Sequence, residues 1–427
     1  ALWNLIPLVW THMNTTAPKS ATFQVNDINY NVPPHPIAVI CMDGSADAYL
    51  DAALARDAMP NLKRISVEGH RAQARGALPS FTNVNNASIV TGSPPACHGI
   101  CGNFFLNPDT GEEVMMNSAS FLRAPTIMSA ASKAGRKVGV VTAKEKLRDI
   151  FAHQLDGIAF SSEKANQATL EKHGIDDVED MVGKPTPHIY SGEASVYVLE
   201  AGVALLRSGR SDFLYLSTTD YMQHTYEPEM PESIEFYRQL DNAIGELLAL
   251  GARVGITADH GMNAKQKPDG SPNVIYLETA LKETFGDGFT VILPITDPYV
   301  VHHGALGSFA VVHCPKECNI DQVAEWCHQQ EGVTEVLDKS LAAQKLELPE
   351  DRMGDLVVMS GRDVVLGRTP AHHDLSALKV GLRSHGGRYE EIVPFVFSHP
   401  LKSDYQTRLL GDPRNFEIFD YTINGLQ

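Results

Sequence analysis

Four apolar runs in this chain each stop at, or start just after, a group that can bind a metal or move a proton. Asp43-Gly44 follows the run 37–42, and Asp220-Tyr-Met-Gln-His224 follows 213–217. Asp259-His260-Gly261 follows 254–258, and Ser384-His385-Gly386-Gly387 precedes 391–397. A short continuous apolar run reads as a strand covered on both faces, the habit of parallel sheets. A carboxylate at the C-terminal edge of such a strand projects into the crevice where open α/β sheets bind ligands. Residues 138–142 add a further strand. Helix-like segments at 191–208 and 232–251 alternate with these runs, and Pro60 opens another helix from its first turn. The predicted fold class is α/β, with a mainly parallel sheet flanked by helices.

After His260 the texture changes. Residues 308–314, 333–337 and 354–359 read as strands, and 321–330 as a helix capped by Asp321. This predicts a small α+β cap insertion over 262–384, within an α/β core formed by 31–261 and 385–427. Pro394 places the 391–397 strand near a sheet edge. Residues 1–30 are expected to be an N-terminal extension, disordered or foreign to the natural chain. Their apolar start at 1–10 is too short to span a bilayer and lacks the basic start and cleavage site of a signal peptide.

A net charge of −17 argues against nucleic acid or anionic membrane as partners, since both need a basic surface. A small anionic substrate stays open, because bound metal ions reverse the field inside a site. The six cysteines are too sparse for a disulfide framework, so reduced thiols and a cytoplasmic setting are expected. Cys97 and Cys101, like Cys314 and Cys318, have a three-residue spacer where zinc ribbons have two.

Singly, each motif is weak. Asp-Gly is most often a turn, and Asp220 and His224, spaced i and i+4, make an ordinary hydrogen-bonded helical pair. Together they supply three Asp and three His at strand ends, a donor set that suits zinc. Thr82 precedes a helix-like segment at 83–90 bounded by Gly92. A threonine there is either a plain N-cap or a nucleophile beside a helix end suited to a phosphoryl group.

The order of these motifs resembles the alkaline phosphatase superfamily. The stretches 82–88 and 98–103 look like its nucleotide pyrophosphatase/phosphodiesterase branch. The resemblance implies two Zn²⁺ per chain. One would be held by Asp220, His224 and His385; the other by Asp43, Asp259 and His260, with Thr82 as a further ligand and as nucleophile. Sulfatases of the superfamily use Cys/Ser-x-Pro-x-Arg, which Thr82-Asn-Val-Asn-Asn86 lacks. Thr82, Asn103 and the 142–146 segment look like the members that hydrolyse the C–P bond of phosphonoacetate through a phosphothreonine. Asn103 would then contact a phosphoryl oxygen, and Lys144 and Lys146 the substrate carboxylate.

On physics alone the lysines divide evenly between a solvated surface and function. They follow the 138–142 strand, and in an extended segment both would point to one side with Glu145 opposite. The resemblance favours function. The expected partner is a small anionic phosphonate, and a homodimer is admitted. The alternatives are a phosphodiesterase or phosphomonoesterase of the superfamily, or a binding protein on a catalytically silent fold. His302-His303 and His372-His373 fall outside the motifs and are expected to be exposed or hydrogen-bonded, within an insertion that can act as a lid.

Overall fold

The computed structural model describes residues 17–427 apart from 298, 299, 301 and 379, so the apolar start of the chain lies outside the described residues. The central sheet has seven strands. They are β1 (Ile37–Cys41), β2 (His70–Arg75), β3 (Val138–Thr142), β4 (Ile158–Ser161), β5 (Phe213–Ser217), β6 (Arg253–Thr257) and β7 (Ile392–Phe397). Their order is β2-β7-β6-β1-β5-β3-β4. From β6 to β4 all neighbours are parallel, whereas β7 is antiparallel to both β6 and β2. Pro394 therefore sits one strand in from the edge strand β2.

Strand β1 shows why the sheet forms. All five of its residues are buried. Ile37, Val39 and Cys41 join one apolar cluster, while Ala38 and Ile40 join another on the opposite face. Helices Thr82–Thr91, Ile127–Lys133 and Ile418–Asn424 cover the first face; Asp47–Ala55, Pro60–Glu68, Glu193–Arg207 and Pro231–Ala249 cover the second. Each fully buried Ile or Leu contributes roughly 1.5–3 kcal/mol relative to exposure. A one-residue slip of β1 would exchange the two faces, so burial fixes the register on which the site depends.

Residues 21–32, mostly within the stretch read as an extension, form a hairpin of Ala21–Val25 and Ile28–Val32. Tyr30 is 1% exposed, and Asn424 brackets the second strand through Asn31 N–H and Asn29 O, at 2.9 and 2.8 Å. The ordered fold thus begins ahead of residue 31. Between His260 and His385 lies a second sheet of four antiparallel strands, in the order Thr290–Ile292, Phe309–His313, Leu356–Ser360, Val333–Asp338. The helix Ile320–Gln329 is capped by Asn319, whose side chain accepts from Gln322 N–H, and not by Asp321 as the sequence suggested. The two ends of this segment meet, since Asn263 pairs with Ser384 and Ala264 with Arg383. Among the described residues no helix is long and apolar enough to cross a membrane.

Candidate active site

The parallel register aligns Cys41 with both Ser217 and Thr257, and Thr142 with Ser217. Asp43, Lys144, Asp220 and Asp259 all follow those residues within three positions and leave the sheet at one edge. Because β7 runs antiparallel, His385, which precedes it, returns to the same edge. Asp43, Asp220, His224, Asp259, His260 and His385 are all buried. Gly44 has φ +69°, and a Cβ there would lie 2.9 Å from Asp220 Cβ. Asp43 and Gly44 form the centre of a turn closed by Ser45 N–H donating to Met42 O at 3.1 Å, and that turn also brings two acidic loops into close approach.

The three histidines share one orientation. Nδ1 lies 2.7 Å from a backbone carbonyl in each: Arg383 for His224, Gly261 for His260, Ser80 for His385. A carbonyl only accepts, so Nδ1 carries a proton and Nε2 is the nitrogen turned toward the carboxylates, the orientation found around metal-bound histidine. Asp220 Oδ2 lies 2.9 Å from His224 Nε2 and 3.4 Å from His385 Nε2. Asp43 Oδ1 lies 3.0 Å, and Asp259 Oδ1 3.7 Å, from His260 Nε2. Asp43, Asp259 and His260 come together as expected from the resemblance, whereas Asp220 falls into two groups, one with His260 and His385 and one with His224 and His302, each with ligand atoms within 4.8 Å of one another. Asp220 Oδ2 also stands 3.6 Å from His260 Nε2, which joins them.

The donors fit divalent cations. His224 Nε2 and Asp43 Oδ1 are buried without a hydrogen-bond partner. An imidazole lone pair facing a carboxylate is repulsive until a cation lies between them. Charge points the same way. Burial, reinforced by Asp43, pushes the Asp259 carboxyl up to about 8. Burial would lower His260, but Asp259 and Asp43 push it up to about 10. Nitrogen and oxygen donors in this mixture suit zinc.

Thr82 is the first residue of the helix Thr82–Thr91, and Phe81 occupies the cap position without a side-chain bond. The plain N-cap reading therefore fails: the Thr82 hydroxyl is not spent on the helix and lies 3.4 Å from His260 Nε2. Asn103 Oδ1 accepts from Asn83 N–H at 3.0 Å, which leaves the amide NH₂ of Asn103 as a donor on the wall of the same cavity. That cavity measures about 480 Å³ and is also lined by Lys144, Lys146, Asp220 and His385.

The lysines meet there by a route the sequence did not indicate. Lys144, still extended, occupies the position before the helix Glu145–Phe151 and Lys146 lies in its first turn, so the two are not on one extended segment. Glu145 does not point away; it too lines the cavity, with its carboxylate bound to Ser161 Oγ. Lys144 Nζ lies 2.9 Å from Asp43 Oδ2 and 3.2 Å from Asp220 Oδ1. Burial disfavours its charge, yet Asp220 and Asp43 hold it well above the ordinary lysine range.

His303 is hydrogen-bonded as expected, its Nδ1 accepting from Ala305 N–H at 3.0 Å, whereas His302 Nδ1 is buried without a partner among the described residues and corrects the expectation for that residue. Their rings lie 4.8 and 5.2 Å from that of His224, and both line the cavity. His372 and His373 are hydrogen-bonded to Thr369 Oγ1 and Gly304 O, as expected. Asn86 was missed: its amide donates to Thr82 O and Asp259 Oδ2, and its Oδ1 accepts from Tyr215 and Ser217. Its i+4 spacing from Thr82 was the available signal. Arg383, buried and bonded to Gln223 O and Tyr49 Oη, presents the carbonyl that orients His224, and nothing local in the sequence marks it.

The family model for type I phosphodiesterase / nucleotide pyrophosphatase matches residues 37–387, from β1 through the His-Gly-Gly motif. The chain belongs to this family. A member of comparable architecture, phosphonoacetate hydrolase from Sinorhizobium meliloti 1021, is 48% identical with a TM-score of 0.90. The match covers 95% of this chain and 99% of that one, and that protein has been solved with phosphonoformate and with phosphonoacetate. Murine ectonucleotide pyrophosphatase / phosphodiesterase 5, at 18% identity and a TM-score of 0.58 over 86% of this chain and 88% of that one, shares the fold. A venom phosphodiesterase from Macrovipera lebetinus is 27% identical over 238 residues, 53% of this chain. The match spans 25% of that protein's length. The family and its solved members carry the alkaline-phosphatase-like fold that the motif order implied.

Proposed function

We propose that this chain is a dizinc hydrolase that cleaves phosphonoacetate to acetate and phosphate. One observation carries the reading: Lys144 and Lys146 line the same cavity as Thr82, Asp220 and His385. Asp220, His224 and His385 would hold one ion; Asp43, Asp259 and His260 would hold the other, with Thr82 Oγ1 beside it. When bound, the ions would polarise the phosphonyl oxygens and lower the pKa of the Thr82 hydroxyl.

Thr82 Oγ1 attacks phosphorus and gives up its proton, and the electron pair of the C–P bond departs with the acetate carbon. That carbanion is a poor leaving group unless its carboxylate takes up the charge as an enediolate. Preorganised ammonium groups of Lys144 and Lys146 stabilise the charge as it develops, while the Asn103 amide donates to a phosphonyl oxygen. The carbon takes a proton to give acetate, and water then hydrolyses the phosphothreonine, which restores Thr82. Residues 262–384 act as a cap over this chemistry. The sparse use of cysteine, six in the whole sequence, is in keeping with a reducing, cytoplasmic setting.

The pairing of Lys144 with Asp43 and Asp220 favours a second reading, in which the lysine serves the metal centre and the substrate is a phosphodiester. The two readings separate on substrate. Replacing Lys144 or Lys146 by Ala should lower phosphonoacetate cleavage by on the order of 100-fold, and hydrolysis of an aryl phosphodiester far less. Lys→Arg should not restore it fully, because a planar fork does not reproduce a compact ammonium. Equal losses on both substrates would favour the phosphodiesterase.

A further inference from the structure

Lys146 does not stand alone in the cavity. Its ammonium lies 2.5 Å from Asp297 Oδ2, and the two side chains are 17% and 4% exposed. Lys146 belongs to the core, on the helix after β3; Asp297 belongs to the segment 262–384, between its first two sheet strands. We propose that Asp297 is a positioning residue for substrate recognition, a cap carboxylate that fixes the Lys146 ammonium at the cavity wall so that selectivity for a carboxylated substrate is set from the cap.

The physical need is plain. A lysine's long side chain loses rotamer freedom when it is held in one place, and this one stands near a second ammonium on Lys144 that repels it. Burial pulls Lys146 below its ordinary value, and the charge of Asp297 is the first influence that opposes this. One carboxylate does not exhaust the group: an ammonium has three N–H donors. Donors therefore remain for a ligand carboxylate while Asp297 holds the nitrogen in place.

The inference rests on the reading that Lys146 meets the substrate carboxylate, and a double-mutant cycle separates the two claims. Zinc-loaded full-length wild type, Asp297→Asn, Lys146→Ala and the double variant would be assayed with phosphonoacetate and with p-nitrophenyl phosphate. Asp297→Asn should lower kcat/KM for phosphonoacetate by on the order of 30-fold, mainly through KM, with a far smaller loss on the aryl phosphate. In the Lys146→Ala background the same change should cost far less, because Asp297 acts on the substrate through Lys146. Asp297→Glu, which keeps the charge, should recover part of the loss. An undiminished Asp297→Asn enzyme, equal losses on both substrates, or a full additional loss in the Lys146→Ala background would overturn the proposal and leave the lysine reading intact. A Lys146→Ala variant with wild-type phosphonoacetate turnover would overturn both.

Discussion

Thr82 carries a choice between two uses of a hydroxyl at a helix start, and the structure withholds it from the helix. Thr82→Ala should keep its zinc yet lose nearly all turnover, because the donors and cavity remain while the nucleophile is gone. Thr82→Ser should retain part of the activity; metal content and initial rates measured on the same preparations decide it. His98 works at one remove. Its Nδ1 accepts from Ile100 N–H at 3.1 Å, so Nε2 carries the proton toward Ser88 Oγ at 2.7 Å and ties the Asn103 loop to the Thr82 helix. Burial and then the Arg352 charge pull His98 from 6.5 down to about 3. Between those values the unfolded chain binds the proton and the folded one does not, so stability is present above pH 6.5 and falls as pH drops toward 3. His98→Gln should flatten that part of a melting-temperature profile; an unchanged slope would show that His98 already carries its proton in the fold. Residues with fixed chemistry at strand ends were legible in sequence. Asn86, His302 and Asp297 were less so, because tertiary neighbours give them their meaning.

Elements were legible where a period had room to show itself. The all-buried strands β1 and β5 and the long helices Glu193–Arg207 and Pro231–Ala249 fall where the apolar patterns predicted. The 144–146 segment was misread as extended because three residues cannot display a helical period, and the strand before it lent its alternation. The Pro394 signal pointed near an edge, and the strand lies beside one. Loop geometry was hidden altogether. Gly386 has φ +125°, and a Cβ there would lie 2.4 Å from the Phe81 ring, which itself packs on His385. Gly386→Ala should therefore cost about 1–3 kcal/mol in stability and weaken zinc binding on the order of 10-fold, read by urea unfolding and by chelator competition. Wild-type affinity with lowered stability would mean that His385 tolerates the shift and contributes little to metal capture.

For the whole molecule, the α/β class and the gathering of buried Asp and His donors follow from residues placed at one sheet edge. The hairpin at residues 21–32 escaped notice, because short strands with polar neighbours resemble a tail until the Ile418–Asn424 helix is packed against them. The second sheet was visible as a change of texture, but its segment was not legible as the source of His302 and Asp297 in the cavity. The central claim is that this fold breaks a carbon–phosphorus bond, and the products report on it directly. Zinc-loaded protein incubated with phosphonoacetate and followed by phosphorus and proton NMR should convert the phosphonate signal to orthophosphate with one acetate per phosphate. An unchanged phosphonate signal from a preparation that turns over an aryl phosphodiester would contradict the account.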